Sequence, residues 1–530
     1  MRKLAWLLAA VLVISLVGVS PARAYQPPGG GVFNTPKPWG GYLANYRIVR
    51  TVEKAMWQTR PTKRHRHPTM LVSTYLLDRS KSVDAMVAAC RRGVSVRVLL
   101  DHDINNRNSR RLIRVLNADN VRDRNHDGKP DRKPRRGPCD SRIRHPKKHE
   151  HCETHSHRKG PTHKHAHGDR HRHRKAGWHV HAHPNGGSGQ GGGQCKGKRG
   201  RNEAGLKAGA ASRDKASSAK NSKPLSRAEA RKSASRPTRL SVTWGKDRSY
   251  VKRCIGSCRG GGGNMHSKFF VFSRTGKARH VVMLSSSNLN RGGATLGWND
   301  GFVMNNRPKL YDEFVTMHRK MTNDRRAGVN KVQVKDGPFL VRFFPMRNAS
   351  KRNDPTLHDL NKIGCRSDLG RTQINVSMFY WKGRRGNYLA TKLLDLARRG
   401  CKVSVIYGAP SLQMASRLRA AAARHAIRLY DSRWDHNQDG FNEVRTHAKY
   451  VLVKGKFGRD RDAWMVLTGS QNWVAGSLSR SDEVTLNINN RAAYNSYARN
   501  WNDVRRHSRR LPYSGWDRLG RHGSALYSPY

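Results

Sequence analysis

The sequence predicts an α/β protein of two pseudo-symmetric α-β-α sandwich halves, with a long disordered insertion in the first half. Three observations support this prediction. A strand–helix–strand pattern occurs twice, a set of short motifs recurs in the same order, and a low-complexity segment interrupts only the first copy. The chain has 530 residues, which is enough for two or three domains.

Each half contains a strand, a helix and a second strand in close succession. Met70–Leu76 and Ile374–Tyr380 are apolar, strand-like runs, and each is followed by apolar residues spaced three and four apart. Each helical pattern ends at an Arg-Arg-Gly triplet, after which the apolar runs Val94–Leu100 and Cys401–Tyr407 begin. These units predict a largely parallel sheet in each half.

Four further motifs occur in both halves and keep the same order. Because chance similarity does not preserve order over so many segments, we infer an internal duplication. The matched pairs are Asp123–Gly128 with Asp435–Gly440, Met265–Lys268 with Thr446–Lys449, Ser285–Asn288 with Gly469–Asn472, and Asn305–Arg307 with Asn489–Arg491.

The N-terminus has the pattern of an export signal. A basic start precedes the apolar run Leu4–Val19, and Ala22-Arg23-Ala24 forms a small-x-small cleavage site. The run is short for a hydrocarbon core of ~30 Å, which argues against a membrane anchor. We therefore expect residues 1–24 to be a signal peptide and the protein to be secreted into the extracellular space.

The duplication also sets the domain boundaries, with a first half over 25–325 and a second half over 326–530. Only six residues separate Gly440 from His447, whereas more than 130 separate Gly128 from His266. The difference predicts an insertion over 132–260. Residues 141–190 hold 13 of the 26 histidines, and 141–240 carry a net charge of +19. Such a basic, aliphatic-poor segment is expected to be disordered.

Composition indicates partners and compartment. Lys and Arg total 104 against 36 Asp and Glu, a formal charge of +68, which argues against a neutral housekeeping enzyme and favours polyanions. An exported chain meets an oxidising compartment, so its eight cysteines are expected to form disulfides. The pairing is not readable from sequence. Cys254 and Cys258, however, are close enough to pair locally.

Two His-x-Lys segments carry the chemistry. Residues i and i+2 of a strand point to the same side, so the His and Lys of each segment share one face. If the halves pair around a pseudo-twofold axis, two imidazoles, two ammonium groups and two amides converge. Such a set suits a phosphodiester, because one His can attack phosphorus while the other protonates the leaving group. The residues are His266, Lys268, Asn288, His447, Lys449 and Asn472.

These segments resemble the duplicated HxKxxxxD and GSxN motifs of the phospholipase D superfamily. The resemblance covers most of residues 30–510 outside the insertion, and it implies two phospholipase D-like halves and a phosphohistidine intermediate. It also implies His266 as nucleophile and His447 as general acid, although a near-symmetric site leaves the reverse open. Family members place an acidic residue about ten positions after the Asn. Glu483 and Asp300 hold that place and are expected to orient the imidazoles.

The sequence departs from the family pattern at the motif Asp. Ser273 and Lys454 occupy the two Asp positions, and Ser285 replaces the first Gly of GSxN. In the family this Asp is mainly structural. Its absence leaves the His, Lys and Asn set in place. The alternative is a catalytically degenerate member that keeps the fold.

Two Asp-x-Asn-x-Asp-Gly loops have the spacing of a calcium-binding loop. Both lack the bidentate Glu at position 12, so an Asx-rich turn without metal is the alternative. Because superfamily chemistry needs no metal, no cofactor is expected for catalysis and calcium would be structural. The candidate ligands are Asp123, Asn125, Asp127 and Asp131 in the first half, and Asp435, Asn437, Asp439 and Glu443 in the second.

Three functions remain open at this point. Lipid-acting members of the superfamily are typically two-motif monomers, which favours a monomeric secreted phosphodiesterase that hydrolyses phospholipid headgroup esters and contacts membranes peripherally. A secreted nuclease on the same fold is the alternative, and the charge of +68 favours it. The third function is non-catalytic polyanion binding. The His-rich stretch is interpreted as a solvated polycation rather than a metal site.

Overall fold

The computed structural model describes residues 25–101, 104, 106–117, 249–254, 256–260, 262–323 and 332–512, and the backbone of 152–157, 160–166, 170–173 and 177–180. The predicted signal peptide and the first calcium loop (Asp123, Asn125, Asp127 and Asp131) lie outside these residues, as does most of the predicted insertion. The predicted boundary at 325/326 also falls outside them. Within the described part, no helix combines the length and apolar character needed to cross a membrane.

The described helices are short to medium in length. They are α1 (Tyr42–Asn45), α2 (Arg47–Gln58), α3 (Ser80–Arg91), α4 (Arg107–Asn117), α5 (Arg291–Leu296), α6 (Pro308–Thr322), α7 (Pro355–Asn361), α8 (Gly383–Arg398), α9 (Leu412–Ala423), α10 (Ala475–Ser479) and α11 (Arg491–Arg506).

The strands fall into two large sheets and several small ladders. The first half contributes β1 (Gly30–Phe33), β2 (Thr69–Thr74), β3 (Ser95–Asp101), β4 (Cys152–His157), β5 (Gly160–Ala166), β6 (Arg170–His173), β7 (Gly177–Val180), β8 (Tyr250–Cys254), β9 (Phe269–Thr275), β10 (Ala278–Ser285), β11 (Gly297–Trp298) and β12 (Asp300–Met304). The second half contributes β13 (Val332–Asp336), β14 (Phe339–Phe344), β15 (Ile363–Gly364), β16 (Arg366–Ser367), β17 (Gly370–Arg371), β18 (Gln373–Trp381), β19 (Lys402–Pro410), β20 (Arg428–Asp431), β21 (Arg445–Thr446), β22 (Lys449–Phe457), β23 (Asp460–Gly469), β24 (Glu483–Asn489) and β25 (Arg509–Leu511).

The two large sheets repeat one topology. The first has the order β1-β12-β10-β9-β2-β3-β8, and the second has β13-β14-β24-β23-β22-β18-β19-β20-β25. β2, β3 and β8 are parallel, as are β18, β19 and β20. The strands that follow the His-x-Lys segments, β9 and β22, run antiparallel to β2 and β18. The sheets are therefore mixed rather than largely parallel. β9 and β10 are antiparallel too, because the two residues that join them are too few for a parallel crossover.

Three hydrophobic cores hold the layers together. One lies between the first sheet and α2, α3 and α4, and a second lies between the second sheet and α8 and α9. The third lies between the sheets and combines α6, α11 and strand residues of both halves, including Phe269, Phe302 and Tyr450. The halves thus share a continuous buried core, which confirms the predicted pair of α-β-α units.

The first half resumes earlier than the predicted end of the insertion at residue 260. β8 pairs in parallel with β3, with Tyr250 opposite Arg97, so the sheet already includes residues from 250 onward. Its basic residues hid it from the apolar pattern, and an edge strand tolerates them. Between β3 and β8, the structure describes the backbone of two hairpins, β4–β5 and β6–β7. The rest of the insertion, and with it the expected disorder, lies outside the described residues.

Disulfides are formed as expected for an oxidising compartment. Cys254 pairs with Cys258, which confirms the local pair, and Cys365 pairs with Cys401. Cys90 is also disulfide-bonded.

Both sheets gather their functional segments at one end. The parallel strands β2 and β3, like β18, β19 and β20, end where the His-x-Lys strands β9 and β22 begin. We call this end of the two sheets the motif edge. Loops that follow the parallel strands therefore surround both motifs, which is the usual place for ligand sites in open α/β sheets.

Candidate active site

Each His-x-Lys segment is held by the main chain of the opposite half. The amide N–H of His266 donates to the carbonyl of Asp482 at 3.0 Å, and Met265 pairs in parallel with Asp482. Reciprocally, the amide N–H of His447 donates to the carbonyl of Trp298 at 2.8 Å, beside the parallel β11–β21 ladder. The two motifs therefore meet at the interface between the halves, as the duplication predicts.

The imidazole of His266 is oriented by a carboxylate from the second half. Its Nδ1 lies 2.9 Å from Oε2 of Glu483. The same carboxylate oxygen accepts the hydroxyl of Ser470. Glu483 is buried, so the contact is shielded from water. An N–H donated from Nδ1 leaves Nε2 of His266 as the atom that can attack an electrophile.

The imidazole of His447 is oriented by a neutral amide from the first half. Its Nδ1 lies 2.8 Å from Oδ1 of Asn299. The amide nitrogen of Asn299 donates to the carbonyls of Gly293 and Gly297 at 2.8 and 2.9 Å. Because this fixes the amide orientation, Nδ1 of His447 must be the donor. Ser286 donates to the same oxygen at 3.1 Å, the counterpart of Ser470 on Glu483.

The expectation that Asp300 orients an imidazole is wrong. Asp300 points away, into the core between the sheets, where it accepts the hydroxyls of Thr468 at 2.5 Å and Tyr497 at 3.0 Å. Glu483 lies eleven residues after Asn472, and the residue eleven after Asn288 is Asn299, not Asp300. Equal spacing in the two copies was therefore the signal for Asn299, and the search for an acidic residue missed it.

The two motif lysines lie buried on aromatic rings. Lys268 donates to the carbonyl of His266 at 2.5 Å and lies 5.2 Å from the ring centroid of Tyr75. Lys449 donates to the carbonyl of His447 and lies 5.0 Å from the ring of Phe379. Neither aromatic residue was among the predicted site residues. Each comes two residues after an equivalent strand serine, Ser73 or Ser377, so the repeat contained the signal.

The motif asparagines complete the set. Oδ1 of Asn288 accepts the N–H of Leu76 at 3.2 Å, and Oδ1 of Asn472 accepts the N–H of Tyr380 at 3.3 Å. These bonds hold each amide with its NH₂ group directed elsewhere. Within the described residues, neither NH₂ group donates a hydrogen bond, so both are free to bind an anionic ligand.

Other contacts replace the missing motif Asp residues. Oγ of Ser273 accepts the N–H of Thr69 at 2.8 Å and so ties β9 to the start of β2. Lys454 lies 4.5 Å from the ring centroid of Trp464 on the neighbouring strand β23. Both strands are anchored without a carboxylate, which explains how the departures leave the site geometry intact.

Residues 368–504 match the family described as "Cardiolipin synthase, PLD-like domain". This match covers the second His-x-Lys segment, Asn472 and Glu483, and the same constellation recurs across the interface in the first half. Over these residues the second half is similar to the phospholipase D-like domain family.

The solved structures that match have low sequence identity to this chain. Phosphatidylserine synthase of Haemophilus influenzae is 12% identical, with 92% of this chain and 88% of that chain covered and a TM-score of 0.46. Polyphosphate kinase of Porphyromonas gingivalis is 10% identical, with 89% and 50% covered and a TM-score of 0.42, so the chain spans half of that kinase. Nuc of Salmonella typhimurium is 16% identical, with 32% and 96% covered and a TM-score of 0.23. No curated protein matches the chain.

Burial and like charges shift the pKa values of the groups in this site. Burial lowers the pKa of Lys268 to about 7, although the carboxylates of Glu483 and Asp101 oppose the shift. Burial and the charge of Lys268 lower the pKa of Lys449 well below its usual range. An anion between the two ammonium groups would relieve this repulsion, so the charges of the site suit a phosphate group.

The two imidazoles differ in their electrostatics. Burial lowers the pKa of His266, but the Glu483 carboxylate opposes the shift. Burial and the charges of Lys449 and Lys268 hold the pKa of His447 well below its usual range, and no carboxylate compensates. Burial alone would raise the pKa of Glu483, yet the His266 and Lys268 charges hold it below its usual value. The near-symmetric site is therefore chemically asymmetric.

The second Asp-x-Asn-x-Asp-Gly loop lies beside this site. It follows β20 at the motif edge and returns through the Trp434–Val444 bridge to His447. Carboxylate oxygens of Asp435, Asp439 and Glu443 lie within 4.8 Å of one another. The N–H of Gly440 donates to Asp435 at 2.8 Å, and Asn437 donates to Asp439 at 3.1 Å. The three carboxylates could hold a cation, and the loop also has the hydrogen bonds of an Asx turn.

Proposed function

We propose that the protein is a secreted phosphodiesterase of phospholipase D type that hydrolyses phospholipid headgroup esters. The observation that carries this proposal is the reciprocal pairing of the two His-x-Lys segments across the halves, with Glu483 behind one imidazole and Asn299 behind the other. Such a pair places a nucleophile and a proton donor around one phosphate.

The asymmetry of the site supports different roles for the two imidazoles. Nε2 of His266 attacks phosphorus, and the bond from phosphorus to the leaving oxygen breaks as His447 gives that oxygen a proton. The phosphorylated imidazole of His266 is cationic, and Glu483 stabilises this charge through the hydrogen bond to Nδ1. His447 faces only a neutral amide, so its cation is a stronger acid and releases its proton readily.

The second step restores the enzyme. Water attacks the phosphorus while the now neutral His447 accepts its proton, and the bond between phosphorus and Nε2 of His266 breaks. Lys268, Lys449 and the free NH₂ groups of Asn288 and Asn472 hold the non-bridging oxygens in both steps. No metal or cofactor is assigned a role in the reaction.

Two features bear on the substrate. Both motifs lie in one chain, the arrangement that the sequence analysis associates with lipid-acting members, and exposed apolar side chains occur at the motif edge. The charge of +68 favours the second candidate, a nuclease, because it provides sequence-independent attraction to nucleic acid. Charge alone does not separate these two polyanions. We therefore place lipid first on the presence of both motifs in one chain.

A side-by-side assay tests the proposal. The purified protein is incubated with phosphatidylcholine vesicles, phosphatidylglycerol vesicles, single-stranded DNA and double-stranded DNA, and free headgroup or nucleotide release is measured. We expect headgroup release that is lost in His266→Ala and His447→Ala. Cleavage of DNA without headgroup release would make the protein a nuclease. The absence of any His266-dependent turnover would make it a polyanion-binding protein.

We also propose a structural calcium ion in the loop that carries Asp435, Asn437, Asp439 and Glu443. The observation that supports a cation is Oδ1 of Asp435, which is buried and accepts no hydrogen bond from the described residues. An oxygen-only ligand set fits calcium better than magnesium, which requires tighter octahedral geometry. The ion would order the loop that leads into His447.

A further inference from the structure

Exposed apolar side chains are unevenly distributed over the surface. Among the described residues, seven large apolar side chains are strongly exposed. Five of them lie at the motif edge: Leu412 at 67%, Leu43 at 62%, Tyr42 at 49%, Phe441 at 45% and Trp434 at 41%. The other two, Trp57 and Leu369, lie at the opposite end of the sheets. Single exposed apolar residues need no explanation, but a group at the end of the sheets that carries both motifs does.

The topology places each of the five at this edge. Tyr42 and Leu43 follow the end of β1, whose last residue pairs with Asp300 at the start of β12. Leu412 follows the end of β19, and Trp434 and Phe441 follow the end of β20. Both halves therefore contribute to the group. Trp39 joins their two contributions, because its ring lies 5.8 Å from Trp434 and 5.6 Å from Trp298 of the first half.

Basic side chains occur among these apolar residues. Five exposed cations lie in loops or helix starts at the motif edge: Lys81, Arg291, Lys382, Arg384 and Arg480. Lys81 is in direct contact with the group, since its ammonium donates to the hydroxyl of Tyr42 at 2.9 Å. Carboxylates are present as well, in the cluster of Asp435, Asp439 and Glu443 between Trp434 and Phe441. The exposed charge of the edge nevertheless remains positive.

We infer that the motif edge is a docking face for an anionic lipid bilayer, with Leu43, Leu412 and Phe441 inserting between headgroups and the surrounding cations binding them. This inference rests on the proposed lipid function and names the surface on which the substrate is met. Transfer of aliphatic and aromatic side chains out of water is favourable, and Lys and Arg side chains are attracted to an anionic leaflet. The active-site mouth would then open directly onto the headgroup layer.

Co-sedimentation tests the inference with vesicles of phosphatidylcholine and phosphatidylglycerol in about a 3:1 ratio. The variant Leu43→Ser/Leu412→Ser is compared with the matched control Trp57→Ser/Leu369→Ser at the opposite end. We expect vesicle affinity to fall about tenfold or more in the first and less than twofold in the control. Turnover of a soluble short-chain phospholipid should be unchanged in both. Lys382→Glu/Arg384→Glu should weaken binding and reduce its salt dependence.

Catalysis and docking fail in distinguishable ways, because vesicle binding is also measured in the inactive His266→Ala protein. If the wild-type protein binds vesicles but turns over no lipid, the proposed substrate is wrong and the docking face stands. Equal vesicle binding by the two double variants would overturn the docking face whatever the activity. If Leu43→Ser/Leu412→Ser loses single-stranded DNA binding but keeps vesicle binding, the docking face is also overturned. The surface would then be assigned to base stacking.

Discussion

Replacing Lys268 with Met should stabilise the fold while it abolishes turnover. The ammonium is fully buried, and burial lowers its pKa to about 7 from an ordinary value near 10.5. At about 1.36 kcal/mol per pKa unit, keeping this group charged costs the folded state about 5 kcal/mol. Met fills a similar volume but loses the bond to the His266 carbonyl. We therefore expect a net gain of about 1–3 kcal/mol at pH 6.

The gain should shrink as the pH rises. Between pH 7 and 10.5 the unfolded chain keeps the Lys268 proton that the folded state has released, so the stability of the wild type increases with pH. Between pH 7 and 9, the difference in free energy of unfolding between wild type and variant should change by about 2 kcal/mol. Lys277→Met, at an exposed turn lysine, is the matched control and should show no such change.

Urea unfolding at pH 6, 7 and 9 measures these free energies. The prediction is wrong if Lys268→Met is less stable than the wild type at pH 6. It is also wrong if the difference in free energy of unfolding is the same at all three pH values. Either result would mean that burial does not destabilise the charged form of Lys268.

Three further predictions concern Asn299, the calcium loop and a disulfide. Asn299→Asp should move the alkaline limb of the pH profile of kcat/KM to higher pH, because a carboxylate stabilises the protonated form of His447. An unchanged alkaline limb would contradict the role of His447 as general acid. Calcium should raise the melting temperature of the wild type, with magnesium much less effective, and Asp439→Ala should abolish this response. A flat melt in calcium and chelator would leave the loop a plain turn. Removing the bond between Cys365 and Cys401 by double Ser substitution should cost about 3–4 kcal/mol, because it closes a loop of 36 residues. A loss below about 1 kcal/mol in urea unfolding would contradict that estimate.

Internal duplication made most of the fold and much of the site predictable from sequence. Strand periodicity predicted one face for His266 and Lys268, and likewise for His447 and Lys449. The structure instead begins β9 at Phe269 and β22 at Lys449, so both histidines precede their strands. The antiparallel direction of β9 and β22 was harder to predict, because it depends on the connections from β8 to β9 and from β20 to β22, which begin and end at the motif edge. β8 was missed because an edge strand can be basic.

The misassignment of Asp300 has a physical explanation. Acidic character suggested an imidazole partner, but its register on β12 directs Asp300 to Thr468 and Tyr497 in the core. The preceding residue, Asn299, faces the opposite side and reaches His447. A shift of one residue along a strand exchanges the two faces of a sheet, so the nature of a side chain cannot replace its register.

The central claim is that His266 attacks phosphorus at a site shared by the two halves. Mass spectrometry of a trapped intermediate tests it most directly, using the His447→Asn variant and a p-nitrophenyl phosphodiester. Such a leaving group needs no protonation, and the variant lacks the base that would activate water, so the intermediate should accumulate. After an alkaline denaturing quench, we expect the substrate's phosphoryl moiety on the peptide that contains His266. A modified residue other than His266, or nitrophenol release that continues unchanged in His266→Ala, would contradict it.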